Sequence, residues 1–109
     1  MAYDDKLAER IRSVLKRRRD FAEKKMFGGL AFLHNGNMCC GVIKKDLVLR
    51  LGKDGVTKAL DKPYAREMDF TGKALKSMVY IGPAGYRTEA QLRRWVAQGV
   101  DYVKSLPPK

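Results

Sequence analysis

The chain has 109 residues and a formal net charge of +11, from 23 Lys and Arg against 12 Asp and Glu. A hydrophobic fraction of 45% argues against disorder, and the length predicts one domain over residues 1–109 with a modest core. No apolar run approaches the roughly 18 residues of a membrane span, so we expect no membrane association. The acidic residues near the start do not resemble a secretory signal, which predicts a cytoplasmic protein.

The first element is predicted to be a helix over residues 4–19. Asp4 or Asp5 is suited to the N-cap, and apolar residues then recur at helical spacing as Leu7, Ile11, Val14 and Leu15. The helix would end in the cationic run of residues 16–19. A solvated end that matches the helix dipole is the favoured interpretation of this run, and a phosphate-binding end is the alternative. Residues 20–23 are predicted to be a short connection.

The middle of the chain predicts an antiparallel meander on which the rest packs. Its three strands are expected near residues 27–33, 38–43 and 47–51. Asn35 and Gly36 between the first two strands suit a two-residue hairpin turn, which needs positive φ angles. Gly28 and Gly29 indicate a bulge or a close approach of backbones, since no helix follows them to form a phosphate loop.

The second half predicts a short helix near residues 56–60, strands at 65–70 and 76–81, and a final helix. Thr88 and Gln91 have the spacing of a capping box, and an apolar stripe with Trp95 at its centre runs to about residue 105. Trp95 is predicted to anchor this helix on the sheet. The resulting order, α-β-β-β-α-β-β-α, indicates a two-layer α+β fold with an antiparallel sheet.

Few residues of the chain could act in catalysis or bind a metal. Adjacent residues of a strand point to opposite faces, so Cys39 and Cys40 are predicted to be one buried and one accessible thiol, reduced and without metal. His34 is the only histidine and is expected to lack a partner. Asp69 is interpreted as an edge-strand carboxylate rather than a general base. We therefore expect no cofactor, no metal site, no catalytic residue and no enzymatic activity.

Three short motifs carry a resemblance to a known family. Residues 24–29 read KKMFGG, an Asn-Gly turn precedes the MCCGV of residues 38–42, and residues 68–72 read MDFTG. Together they resemble the N-terminal domain of the TfoX/Sxy proteins, bacterial regulators of natural competence, over nearly the whole chain. The matching residues, interpreted as structural, are Met26, Phe27, Gly28, Gly29, Cys39, Cys40, Gly41, Asp69, Phe70 and Gly72.

The resemblance implies a fold similar to that of type III secretion chaperones and YjbR-like proteins. It also implies a regulatory or adaptor role that acts on transcription together with the cyclic-AMP receptor protein. Full-length competence regulators carry a second, C-terminal domain, so we expect this chain to be a single-domain member.

Two classes of function stay open. The first is a non-enzymatic interaction module that binds a protein partner through the exposed sheet face or an edge strand, with a homodimer also open. The four methionines Met26, Met38, Met68 and Met78 either pack in the core or line such a surface. The second class is a basic protein that binds nucleic acid through phosphate contacts without sequence preference. The candidate contact residues in either case are Arg17, Arg18, Arg19, Lys24, Lys25, Lys44 and Lys45.

Overall fold

A computed structural model describes residues 4–16, 18, 21–26, 28–70 and 73–107, without the side chains of 26, 68–70 and 73–76. The described chain is an α+β fold, which confirms the predicted class. In chain order its elements are α1 (Asp5–Leu15), β1 (Phe21–Met26), β2 (Gly29–His34), β3 (Asn37–Ile43), β4 (Asp46–Arg50), α2 (Gly52–Ala59), β5 (Ala65–Phe70), β6 (Lys73–Ile81) and α3 (Glu89–Lys104).

The six described strands form one sheet in the order β1-β2-β3-β4-β6-β5, with antiparallel neighbours. The first four strands follow one another as a meander. After α2 the chain runs along the outer edge as β5 and returns beside β4 as β6. Among the described residues, no helix combines the length and the apolar character needed to cross a bilayer.

The strand β1 corrects the prediction of a connection over residues 20–23. It covers Phe21–Met26 and pairs with β2 from Phe21↔His34 to Met26↔Gly29. Its sequence, FAEKKM, lacks a clear apolar alternation because the strand forms an edge of the sheet and its residues 22–25 are exposed. An exposed edge strand with charged side chains is a common way to discourage pairing with other chains.

The helix α1 is shorter than predicted, since it ends at Leu15 rather than at residue 19. Leu15 is the last buried residue of its apolar stripe, and Lys16 and Arg18, the described cations that follow it, are exposed. At the start, the Asp4 side chain accepts hydrogen bonds from the backbone N–H groups of Lys6 and Leu7 at 2.9 and 3.2 Å. The predicted N-cap is therefore confirmed.

Two predicted turns and caps are also confirmed. Asn35 and Gly36 have φ angles of 50° and 85°, as a hairpin turn with two positive φ angles requires. At α3, Thr88 and Gln91 exchange hydrogen bonds of 3.1 Å in both directions, which is the capping box that their spacing predicts.

All three helices pack on one face of the sheet and bury a common core with it. Helical residues such as Ile11, Val56 and Val96 lie in the same buried cluster as Leu47 and Leu49 of β4. Trp95 anchors α3, as predicted: it is 7% exposed, and its Nε1–H donates to the Gly85 carbonyl at 3.0 Å. The ring of Tyr64 meets it edge-on, with 6.3 Å between centroids.

The two cysteines correct the prediction of one buried and one accessible thiol, since both are 0% exposed. Cys40 pairs with Phe32 and Met38 pairs with Leu33, which leaves Cys39 as an extra residue in β3. Such a bulge places two residues opposite one, so the alternation of side chains is interrupted. Both sulfurs therefore lie in the core beneath α3, where a Cβ on Gly99 would lie 3.4 Å from Cys39 Sγ.

Candidate interaction surfaces

The sheet has a second face that no described helix covers, here called the helix-free face. Strand pairing places one residue from each strand in a continuous row across it. This central row consists of Lys24, Ala31, Gly41, Val48, Tyr80 and Arg66. It has a cation at each end and small or apolar residues between them. Sequence alone did not find it because the row is assembled from six separate strands.

A small apolar cluster lies on this face. Val48 and Met78 are its buried members, at 0% and 8% exposed, and Met38, Ile43 and Tyr80 are half-buried around them. No helical residue belongs to this cluster, in contrast to the larger core on the other face. Among the predicted methionines, Met38 and Met78 therefore lie on the surface-forming side of the sheet. The side chains of the other two are outside the described residues.

Small residues occupy the middle strands on the helix-free face. At Gly41, a Cβ would lie 2.5 Å from the backbone oxygen of Leu30, and one on Gly29 would collide with the backbone oxygen of Val42. Both positions therefore need glycine because neighbouring strands approach closely, which confirms the close approach predicted at Gly29. Ala31 lies beside Gly41 in the central row. The middle of the row is therefore built from backbone and small side chains that are themselves buried, since Ala31 is 1% exposed.

The Arg66 end of the central row is a fixed group of three side chains. The Arg66 guanidinium lies 2.5 Å from Asp46 Oδ2 and 5.1 Å from the ring centroid of Tyr80. Lys24, at the other end, lies on the exposed edge strand β1 and makes no ion pair within the described part of the chain. The helix-free face thus has an apolar middle between the exposed Lys24 at one end and the Arg66–Asp46 ion pair at the other.

The predicted contact cations are distributed over separate elements. Lys24 and Lys25 lie side by side on β1 and point to opposite faces, because Lys24 pairs with Ala31 and Lys25 with Leu30. Lys44 and Lys45 lie at the exposed turn between β3 and β4. Arg18 lies beyond α1, while Arg17 and Arg19 are outside the described residues. The structure does not bring the described members together into one patch.

A cleft of about 570 Å³ lies between the end of α1 and the outer side of α3. It is lined by Ser13, Val14, Lys16, Arg18, Arg93 and Ala97. Among the described residues of this lining, Arg18 is the one that was predicted as a contact residue. Arg93 was missed as a member of any site, because its sequence context indicates only a solvent-exposed position on α3. Lys16 and Arg18 also line a smaller neighbouring cleft of about 310 Å³.

The residues that could act in catalysis or bind a metal are packed against other side chains. The Cys40 thiol has its pKa raised, first by a hydrogen bond with Cys39 and then by burial, so the reactive thiolate is disfavoured. His34 is half-buried, and its ring packs against Phe21 with 5.1 Å between centroids. Within the described chain, no group of three or more His, Cys, Asp or Glu side chains converges as metal ligands do.

The remaining motif residues divide into described and undescribed positions. Gly28 has a φ angle of 73° in the turn between β1 and β2, and Gly41 lies in the central row. Phe27 and Gly72 lie outside the described residues. For Met26, Asp69 and Phe70 only the strand backbone is described, so the interpretation of the Asp69 carboxylate stays a prediction.

Comparison with known proteins identifies one family. The sequence model of the TfoX N-terminal domain matches residues 13–102, which is most of the chain. No curated protein matches the sequence significantly, and no solved structure matches the fold significantly. The expected similarity to secretion chaperones and YjbR-like proteins therefore stays a prediction.

Proposed function

The chain belongs to the TfoX N-terminal domain family, and on that premise we propose that it is a non-enzymatic regulatory or adaptor module that binds another protein. The observation that carries the proposal is the helix-free face, with its apolar cluster of Met38, Ile43, Val48, Met78 and Tyr80. A sheet face of this kind offers a partner both apolar area and, at its rim, charged groups.

The residue types on this face suit recognition of a protein. Methionine side chains are flexible and polarisable, so the half-buried Met38 can adjust to the shape of an apolar partner while Met78 packs beneath it. Tyrosine and arginine are enriched in protein interfaces, and Tyr80 and Arg66 already hold one another in place at one end of the central row. The face thus combines flexible methionine side chains with an Arg66–Tyr80 pair that is already held in place.

The charge of the chain selects the kind of partner. A net charge of +11, with Lys24 at the β1 end of the central row, favours a segment whose apolar side chains are flanked by Asp or Glu. A second copy of the chain would instead bring together two chains that each carry a net charge of +11. We therefore assign the helix-free face to an acidic, apolar segment of another protein rather than to a homodimer.

The positions of the reactive groups support a non-enzymatic role. Both thiols are buried, and the raised pKa of Cys40 opposes the thiolate that covalent catalysis needs. His34 packs on Phe21 at the end of β2. These positions support a binding role over a catalytic one.

The test compares captured proteins for four versions of the full chain in native cell extract, each with and without nuclease. Met38→Glu and Tyr80→Glu add negative charge to the helix-free face, while Arg94→Ala removes a cation from the exposed side of α3 as the matched control. We expect parent and control to retain an acidic partner after nuclease treatment. Both Glu variants should lose it while keeping the parent's circular dichroism spectrum.

Three outcomes would contradict the proposal. The first is a partner that is retained by both folded Glu variants, since the surface would then lie elsewhere. The second is loss of all partners after nuclease treatment, which would favour the nucleic-acid alternative. The third is a dimer in light scattering that Met38→Glu dissociates, because the face would then serve a second copy of the chain.

A further inference from the structure

The cleft between α1 and α3 lies on the helix-covered side of the molecule, so it is separate from the helix-free face. Its walls are formed by Ser13, Val14, Lys16 and Arg18 on one side and by Arg93 and Ala97 on the other. We propose that this cleft binds a small ligand that carries two or more phosphate charges. This inference goes beyond the proposed function, since neither the family nor the helix-free face requires it.

The cations of the cleft are only partly compensated by nearby carboxylates. Other arginines of α1 are engaged: Arg12 bonds to Glu9 and Glu23, and Arg10 lies 3.8 Å from Glu89. Within the described part of the chain, no carboxylate lies within 4.0 Å of the Lys16 or Arg18 side chains. Arg93 has only a 3.7 Å contact with Glu89 and is 69% exposed. The cleft therefore holds cations whose charge a ligand can neutralise.

The size of the cleft fits a small molecule. About 570 Å³ lies within the usual range of ligand pockets, roughly 300–1,000 Å³. Ser13 supplies a hydroxyl group that can donate to a phosphate oxygen, and Arg18 and Arg93 can each offer two parallel N–H donors. Val14 and Ala97 provide apolar surface for the remainder of the ligand. The composition thus suits an organic phosphate of nucleotide size.

The described lining argues against single-stranded nucleic acid as the occupant. Channels for single strands combine cations with aromatic side chains on which bases stack. None of the six lining residues is aromatic. Duplex DNA also needs cations over an extended surface, whereas the described contact cations lie on separate elements. A compact ligand with concentrated charge is therefore favoured over a long polyanion.

Calorimetry of the full chain at about 150 mM salt tests the proposal with pyrophosphate, ATP and adenosine as probes. We expect pyrophosphate and ATP to bind with one-to-one stoichiometry and adenosine to show no binding. Arg93→Ala should weaken the binding of both pyrophosphate and ATP at least about tenfold, because one charge-assisted contact is lost. Ala97→Glu places a carboxylate in the cleft and should weaken the binding of both ligands further. Arg94→Ala, on the next position of α3, should bind as the parent does.

Thermal unfolding shows whether each variant keeps its fold, and the exposed Arg93→Ala decides the test if Ala97→Glu does not fold. Equal weakening by Arg94→Ala and Arg93→Ala would overturn the proposal, since it would mean diffuse attraction to a basic surface. Absence of binding to both phosphates at millimolar concentration would also overturn it. So would a DNA duplex that binds through Arg93 when pyrophosphate does not.

Discussion

The two faces of the same sheet are built from alternate residues of the same strands, yet they differ in what they bury. On β4 and β6, Leu47, Leu49, Val79 and Ile81 lie in the core beneath the helices, while Val48, Met78 and Tyr80 lie on the helix-free face. The covered face joins side chains from all three helices. In the described residues, the helix-free face holds a small cluster between Lys24 and the Arg66–Asp46 ion pair. Stability therefore depends mainly on the covered face, and the other face is available for recognition.

The largest difference between the faces should appear in thiol reactivity. Native Cys39 and Cys40 should react with a thiol reagent on the order of 10³-fold or more slowly than in the unfolded chain, because exposure requires unfolding. Lys24→Cys, on the helix-free face, should react at the rate of a free thiol. Two slow groups in the parent and one additional fast group in the variant are expected in a thiol titration. A fast native cysteine in the parent would show that the bulge is misplaced.

Removal of the anchor on the covered face should have the largest effect on stability. Trp95→Ala should lower the free energy of unfolding by about 3–5 kcal/mol, as is usual for a buried aromatic side chain. Trp95→Phe keeps a ring but loses the hydrogen bond to Gly85 and should cost about 1–3 kcal/mol. Urea unfolding measures both. A Trp95→Ala midpoint equal to that of the parent would refute the anchoring role.

Two valines compare the faces directly, since Val79 and Val48 are both 0% exposed and lie on adjacent strands. Loss of two methyl groups costs about 1.6 kcal/mol in transfer free energy, and a cavity adds to it. Val79→Ala, beneath the helices, should therefore cost about 2–3 kcal/mol. Val48→Ala should cost about 1.6 kcal/mol, because the flexible Met38 and Met78 can fill the space and remove the cavity cost. Equal costs in urea unfolding would mean that the two faces are equally rigid.

The smallest effect on stability is expected for the exposed ion pair between Arg12 and Glu23, at the β1 edge of the covered face. Arg12 Nε and Nη2 donate to the two Glu23 carboxylate oxygens at 2.8 Å each, and this hydrogen bonding lowers the pKa of Glu23. A lowered carboxylate pKa stabilises the fold above the unfolded value of about 4.3, and this stabilisation is lost as the pH falls.

Because both side chains are more than a third exposed, the pair should contribute below about 1 kcal/mol. Glu23→Gln should be less stable than the parent near pH 7, and the difference should close below about pH 4. Unfolding in urea at a series of pH values measures this difference. A constant difference at all pH values would show that packing, rather than charge, joins Glu23 to α1.

Local chemistry predicted much of this fold. The caps at Asp4 and Thr88, the turn at Asn35 and Gly36, and the anchoring position of Trp95 each depend on residues near one another in sequence. The strand β1 was missed because an edge strand is exposed on both sides and needs no apolar alternation. The bulge at Cys39 was missed because one extra residue in a strand leaves no compositional trace.

The candidate surfaces were less predictable for a related reason. The central row requires the register of six strands, and no short motif encodes that register. Likewise, the cleft brings Lys16 and Arg18 together with Arg93, which follows them by more than 70 residues. The run of cations after α1 was visible in the sequence, but its neighbour across the cleft was not.

The strand β3 also fixes where the two ends of the described chain lie. The Asp4 backbone N–H donates to the Lys44 carbonyl at 2.7 Å, just after β3, while the Asn37 side chain at its start donates to the Pro107 carbonyl at 2.8 Å. A strand rises about 3.3 Å per residue, so Asp4 and Pro107 are held about 20 Å apart. A peptide that joins them in a circular permutant must therefore contain at least about six or seven extended residues.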